Sequence, residues 1–186
     1  MRTKLIVGTI AFIFSGLTNT LAADDPLTKD QAQRFIASLY DVDALRESSG
    51  TAGDPVIDID TKPTPGKAFS PYGNIVSLTQ KDHKPLYSKL AATIKPHGFA
   101  PAEWGAVGDR LMIATMAIKL EQENPDAISQ LKNMDPSMLA LLPAAQRTQI
   151  EQAKMIATMA EAAPAADKAI AKLVAPEMDK YMDQQN

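Results

Sequence analysis

Residues able to do chemistry are few in this chain, and they fall into two patterns. There is no cysteine, and the histidines are His83 and His97 alone. Thiol nucleophiles and thiolate metal sites are therefore excluded, and imidazole bases are limited to two positions. The stretch KPHGFAPAEWGAVGDRLMIATM, residues 95–116, holds His97, the single tryptophan and three of the nine glycines. Within it Glu103, Trp104, Asp109 and Arg110 form a candidate ligand set, with Arg110 as holder of an anion and Trp104 as an apolar wall. Glu103 and Asp109 are the acid pair that glycoside chemistry would need, although nothing in the sequence singles them out from the other acids. The competing reading is structural: a polar stripe, or a buried ion pair in the middle of a helix.

The second pattern is sulfur. Eight methionines follow Met1, and they form four M-x-x-x-M pairs: 112/116, 134/138, 155/159 and 178/182. On a helix, positions i and i+4 share a face, and thioethers are soft donors suited to Cu(I) or Ag(I). MIATMA occurs at 112–117 and again at 155–160. The echo selects Met112, Met116, Met155 and Met159 as the set that two facing helices would bring to a copper ion. The competing reading is that methionine fills irregular gaps in a helical core, which requires no cofactor. Asp54, Asp58 and Asp60 hint at calcium, but the glycine and terminal glutamate of an EF-hand loop are missing. No G-x-S-x-G, HExxH or glycine-rich phosphate loop is present, so the expectation is a protein without enzymatic activity.

The elements that must position these residues are helices punctuated by proline. Residues 1–22 read as a secretory leader: Arg2 and Lys4, then an apolar run from Leu5 to Leu17, then small residues up to Ala22. That run is shorter than the ~20 residues of a membrane span, so the expected product is periplasmic, residues 23–186, with no membrane span after cleavage. Losing Arg2 and Lys4 with no acid takes the net charge from −3 to −5, which argues against nucleic acid as a partner. LTKDQ at 27–31 places Thr28 as N-cap and Gln31 at N3, a capping box. Residues 51–70 carry Pro55, Pro63 and Pro65 with Gly53 and Gly66 and read as a long connection. Ser70-Pro71 predicts the start of a short helix, and Asp82 that of another carrying Leu86, Leu90 and Ile94. Gly98 closes that helix. Pro101 opens a long one to about Gln122, with Phe99 and Trp104 as a hydrophobic staple. Gly105 and Gly108 each cost ~1 kcal/mol in a helix relative to alanine, so another helix should approach closely there. Residues 144–162 and 165–183 predict two more helices.

The run HGF-x-P-x-EW-x-x-VGDR resembles a stretch in small exported helical proteins of Gram-negative bacteria, over residues 71–122. That resemblance implies an exported all-helical fold and carries no catalytic residue with it. LTKDQ at 27–31 and LLPAAQ at 141–146 are also similar to the LTxxQ motif of periplasmic stress chaperones of the Spy and CpxP type, the second with proline in place of threonine. Taken together, the expectation is a single all-α domain: an irregular bundle of five to seven helices with a Pro-rich N-terminal connection. Its expected function is binding, of a protein or small-molecule ligand, in envelope stress or as a chaperone-like protein. Soft-metal binding through paired methionines is the alternative, and an enzyme the third.

Overall fold

Local signals decide where each helix begins. Thr28 and Gln31 make the reciprocal pair of a capping box: Gln31 N–H donates to Thr28 Oγ1 at 3.2 Å, and Thr28 N–H donates to Gln31 Oε1 at 3.0 Å. This starts α1 (Lys29–Thr51). Proline occupies the first turn of α2 (Pro71–Asp82) and of α3 (Lys84–Ile94), where a missing N–H leaves no helical bond unmade. A single 3-10 turn, Lys95–His97, follows, and Gly98 ends it with φ of 78°. That left-handed conformation is the one glycine adopts without steric cost. Then come α4 (Pro101–Glu123), α5 (Ala127–Lys132), α6 (Ala144–Ala162) and α7 (Ala165–Asp183). Pro143 and Pro164 precede the last two in extended backbone, with ψ of 147° and 135°.

This computed structural model describes residues 25–51, 63–64, 68–123, 125–135 and 141–184. All regular structure among them is helical, so the chain is an all-α, irregular bundle. The expected leader at 1–22, most of the connection at 51–70 with Asp54, Asp58 and Asp60, and Met138 lie outside the described residues. Among the described residues no helix is long and apolar enough to cross a membrane.

The bundle is organised around α4, which touches α1, α2, α3, α6 and α7. Its buried residues include Trp104, Val107, Leu111, Ala114 and Ile118, a spacing that turns much of the helix circumference inward. Phe35, Ile36, Leu39 and Val42 of α1, Leu90 and Ile94 of α3, and Val174 of α7 close over them into one core. A second, smaller cluster joins Ala117 of α4 to Ala160 and Ala163 at the end of α6. Of the 19 residues in α6 only Ala157 and Ala160 are buried, so α6 lies on the bundle rather than in it.

Candidate functional site

Trp104 belongs to the core. It is 0% exposed, and its Nε1–H donates to Ser38 Oγ at 2.8 Å, which in turn donates to the Phe35 carbonyl at 2.6 Å. Its ring stands 5.4 Å from both Phe35 and Tyr72, and Phe35 and Tyr72 meet edge to face at 5.0 Å. A tryptophan so enclosed walls no ligand pocket, which corrects the expectation for that residue. Phe99, the expected staple partner, is buried in the same core but lies under the Arg34 guanidinium, 4.7 Å from the ring centroid. The glycines of α4 serve close approach as expected. A Cβ on Gly108 would stand 2.6 Å from Phe35 Cε2 and 2.7 Å from Tyr72 Cδ2. A Cβ on Gly105 would stand 3.0 Å from Gly73 Cα of α2.

Asp109 caps another helix. The first N–H groups of a helix have no partner within it, and Pro71 supplies none. The next two are satisfied from α4: Tyr72 N–H donates to Asp109 Oδ1 at 2.8 Å, and Gly73 N–H donates to Oδ2 at 3.3 Å. Ser70, at the N-cap position, makes no cap bond of its own and donates its hydroxyl to Asp109 instead. Burial raises the Asp109 carboxyl above the ordinary aspartate range, against the three bonds that favour its charge. The neighbouring Tyr72 phenol is pushed up to about 12, first by burial and then by the charges of Asp109 and Asp43.

Arg110 is committed as well. Its Nε donates to Asp167 Oδ2 at 2.9 Å and its Nη2 to Oδ1 at 2.8 Å, a bidentate pair with a carboxylate that is 1% exposed. Its Nη1 donates to the Asp25 carbonyl at 2.6 Å, and Leu27 N–H completes Asp167 at 3.0 Å. The cluster clasps the segment before α1 to α4 and to the first turn of α7. A cleft of about 560 Å³ opens beside it, lined by Pro26, Arg110, Ile113, Met159, Ala163 and Asp167 among others. With its charge matched and three of its nitrogens bonded, Arg110 is not the anion holder that the sequence suggests. Glu103 sits half-buried in the first turn of α4, where a negative charge suits the helix start, and lines none of the described cavities. The expected ligand set is thus split into a core ring, a cap, a clasp and a helix-end charge.

The histidines are apart from it too. His97 Nε2 stands 2.7 Å from Asp41 Oδ2 of α1, and Arg34 Nη1 donates to the His97 carbonyl at 2.8 Å. His83 is exposed at the joint between α2 and α3. Among the described residues no three His, Asp or Glu side chains converge as metal ligands.

Methionines do share a cavity, in a different grouping from the one the echo suggests. Met112 and Met116 of α4 face Met178 and Met182 of α7 across a cavity of about 210 Å³, with Phe35 and Tyr181 among its walls. Tyr181 is fixed there: its hydroxyl donates to Asp43 Oδ2 at 2.5 Å and its ring meets Tyr40 edge to face at 5.2 Å. Burial, and next the bond to Asp43, push its phenol well above the usual range. Met159 lines the cleft beside Arg110 instead, so Met112, Met116, Met155 and Met159 do not share one cavity. The signal for the set that shares a cavity was present in the sequence, since 178/182 is also an M-x-x-x-M pair. The echo drew attention to the wrong partner. A further cavity of about 330 Å³ adjoins the first along the same seam, sharing Thr115, Lys119 and Met178 with it and adding Gln122, Lys172 and Asp179.

No protein-family model, curated protein or solved structure matches the chain. The LTKDQ stretch that is similar to a chaperone motif serves here as the capping box of α1, with Leu27 buried in the core.

Proposed function

We propose that the protein works by binding a small ligand in the methionine-lined cavity between α4 and α7, as an exported, periplasmic protein without enzymatic chemistry of its own. One observation carries this reading. Trp104, Asp109, Arg110 and His97, the residues that looked reactive, are each engaged in structural contacts, while Met112, Met116, Met178 and Met182 line a space. Methionine is flexible and polarizable, and surfaces built from it adapt to varied apolar ligands. A volume of about 210 Å³ suits a small molecule better than a polypeptide segment, so among the binding roles a small ligand is favoured over a chaperone client.

The test is saturable binding of N-phenyl-1-naphthylamine, an uncharged apolar fluorophore, to residues 23–186. Met116→Trp, which fills the cavity, should abolish the fluorescence gain while leaving the circular dichroism unchanged. No saturable gain in the wild type, or an equal gain in the variant, would overturn the reading.

A second reading is favoured by the same four sulfurs: a Cu(I) or Ag(I) site of two facing i, i+4 thioether pairs. Lys119 at the rim of that cavity opposes a cation. Cu(I) competition against a chromogenic chelator, in wild type and in a Met112, Met116, Met178, Met182→Leu variant, separates the two. Tight binding lost in the variant supports the metal, and weak binding in both supports the apolar ligand.

A further inference from the structure

The seam between α4 and α7 has a chemical polarity along its length. Its lining residues advance from Gly108 to Gln122 on α4 while they fall from Met182 to Ala171 on α7, so the two helices run antiparallel across it. At one end lie the four methionines with Phe35 and Tyr181. At the other lie Lys119, Lys172 and Gln122. The two lobes meet at Thr115, Lys119 and Met178, which line both. Met112 and Lys119 are two helical turns apart, ~10 Å at 1.5 Å per residue, and Lys172 and Met182 about 15 Å.

The charge of the second lobe runs against that of the protein. The chain as a whole carries −3, yet this lobe presents two amines against the single carboxylate of Asp179. Both lysines are exposed, and Gln122 beside them offers a further N–H donor. Glu121, the nearest acid on α4, is bonded to Lys168, whose Nζ donates to it at 2.8 Å, and more weakly feels the charge of Lys172. An apolar lobe joined to a basic mouth is the complement of a molecule with a hydrocarbon tail and an anionic head.

We infer that the ligand is an amphipathic anion of the fatty-carboxylate class, its tail among Met112, Met116, Met178 and Met182 and its head at Lys119 and Lys172. This rests on the cavity proposed above as the binding site and adds the chemical class of its occupant. A tail of roughly ten carbons covers the ~10–15 Å from the amines to the far methionines. The thioether-lined walls accommodate a flexible chain by changing rotamer.

The experiment compares decanoate with 1-decanol, both below their aggregation concentrations, by isothermal titration calorimetry on residues 23–186. A second arm uses Lys119→Gln with Lys172→Gln, and a third Lys119→Arg with Lys172→Arg. Decanoate should bind about tenfold more tightly than decanol, the worth of one charge-assisted hydrogen bond. The glutamine pair should erase that advantage, and the arginine pair should keep it. Equal binding of decanoate and decanol, unaffected by the glutamine pair, would overturn the anion and leave the cavity standing. Binding of neither would overturn the cavity reading together with the inference. Both lysines are exposed, so these substitutions leave the core untouched.

Discussion

MIATMA stands once in α4, at 112–117, and once in α6, at 155–160. Locally the two copies behave alike. Ala114 and Ala117 are 0% exposed, and their counterparts Ala157 and Ala160 are 1% exposed. Thr115 Oγ1 donates to the Leu111 carbonyl at 2.8 Å, and Thr158 Oγ1 to the Lys154 carbonyl at 2.9 Å. Their surroundings differ. α4 is packed by five other helices, whereas α6 meets α4 and α5. The methionines of the first copy face a second methionine pair, and Met159 of the other lines an open cleft beside an ion pair. Helical period decides which residues of a repeat turn inward. The number of neighbours decides how much that burial is worth and what the remaining side chains meet.

If that contrast is right, damage to α4 should cost far more than equivalent damage to α6. Trp104→Ala empties the centre of the core and should cost ~3–5 kcal/mol. Met159→Ala in α6, half-buried beside an open cleft, should cost about 1 kcal/mol. Urea melts of both variants measure this, and similar losses would break the comparison.

A finer test uses the equivalent alanines. Ala114→Leu forces a larger side chain into a site packed on several sides and should cost ~1–3 kcal/mol. At Ala157 the same change presses on α6, which has fewer neighbours and is free to shift outward, and the cost should fall below about 1 kcal/mol. Thermal melts of the pair give the ratio, and equal costs would mean that α6 is held as firmly as α4.

Leucine for methionine should cost little at any one site. Replacing Met112, Met116, Met178 and Met182 with leucine conserves volume and should cost under ~1.5 kcal/mol at each site. Urea melts check it, and a collapse of the fold would show that the thioethers are needed for more than filling space.

The smallest effect is a pH slope, specific to α4. Asp109 is held above its unfolded pKa by burial, so the folded state binds that proton more tightly than the unfolded chain. Its contribution to stability is present below the unfolded value and is lost as pH rises through the folded one. Relative to Asp109→Asn, the wild type should therefore lose stability as pH rises from about 4 toward 7. Glu121 and Glu177 have lowered pKa values and act in the opposite sense, which is why the difference between the two proteins is the quantity to follow. A difference that stays flat with pH would show that Asp109 is not desolvated in the folded state.

Sequence alone determined most of the helices and their order, because the signals for them are local, although the start expected at Asp82 falls in the last turn of α2 and α5 was not foreseen. The capping box at Thr28 and Gln31, the proline starts at 71 and 101, the glycine stop at 98, and the ranges 144–162 and 165–183 all follow from neighbours in the chain. The close approach at Gly105 and Gly108 was legible too, since two glycines in one helix need a reason. Which helix approaches was not. Asp109 caps a helix that begins 38 residues earlier, Arg110 grips Asp167 57 residues later, and Met112 and Met116 meet Met178 and Met182 rather than their own echo. Those pairings depend on the order in which amphipathic faces find one another. Many helices offer a similar apolar stripe, so only the closed tertiary structure decides whether a charged or soft side chain becomes a cap, a clasp or the wall of a cavity.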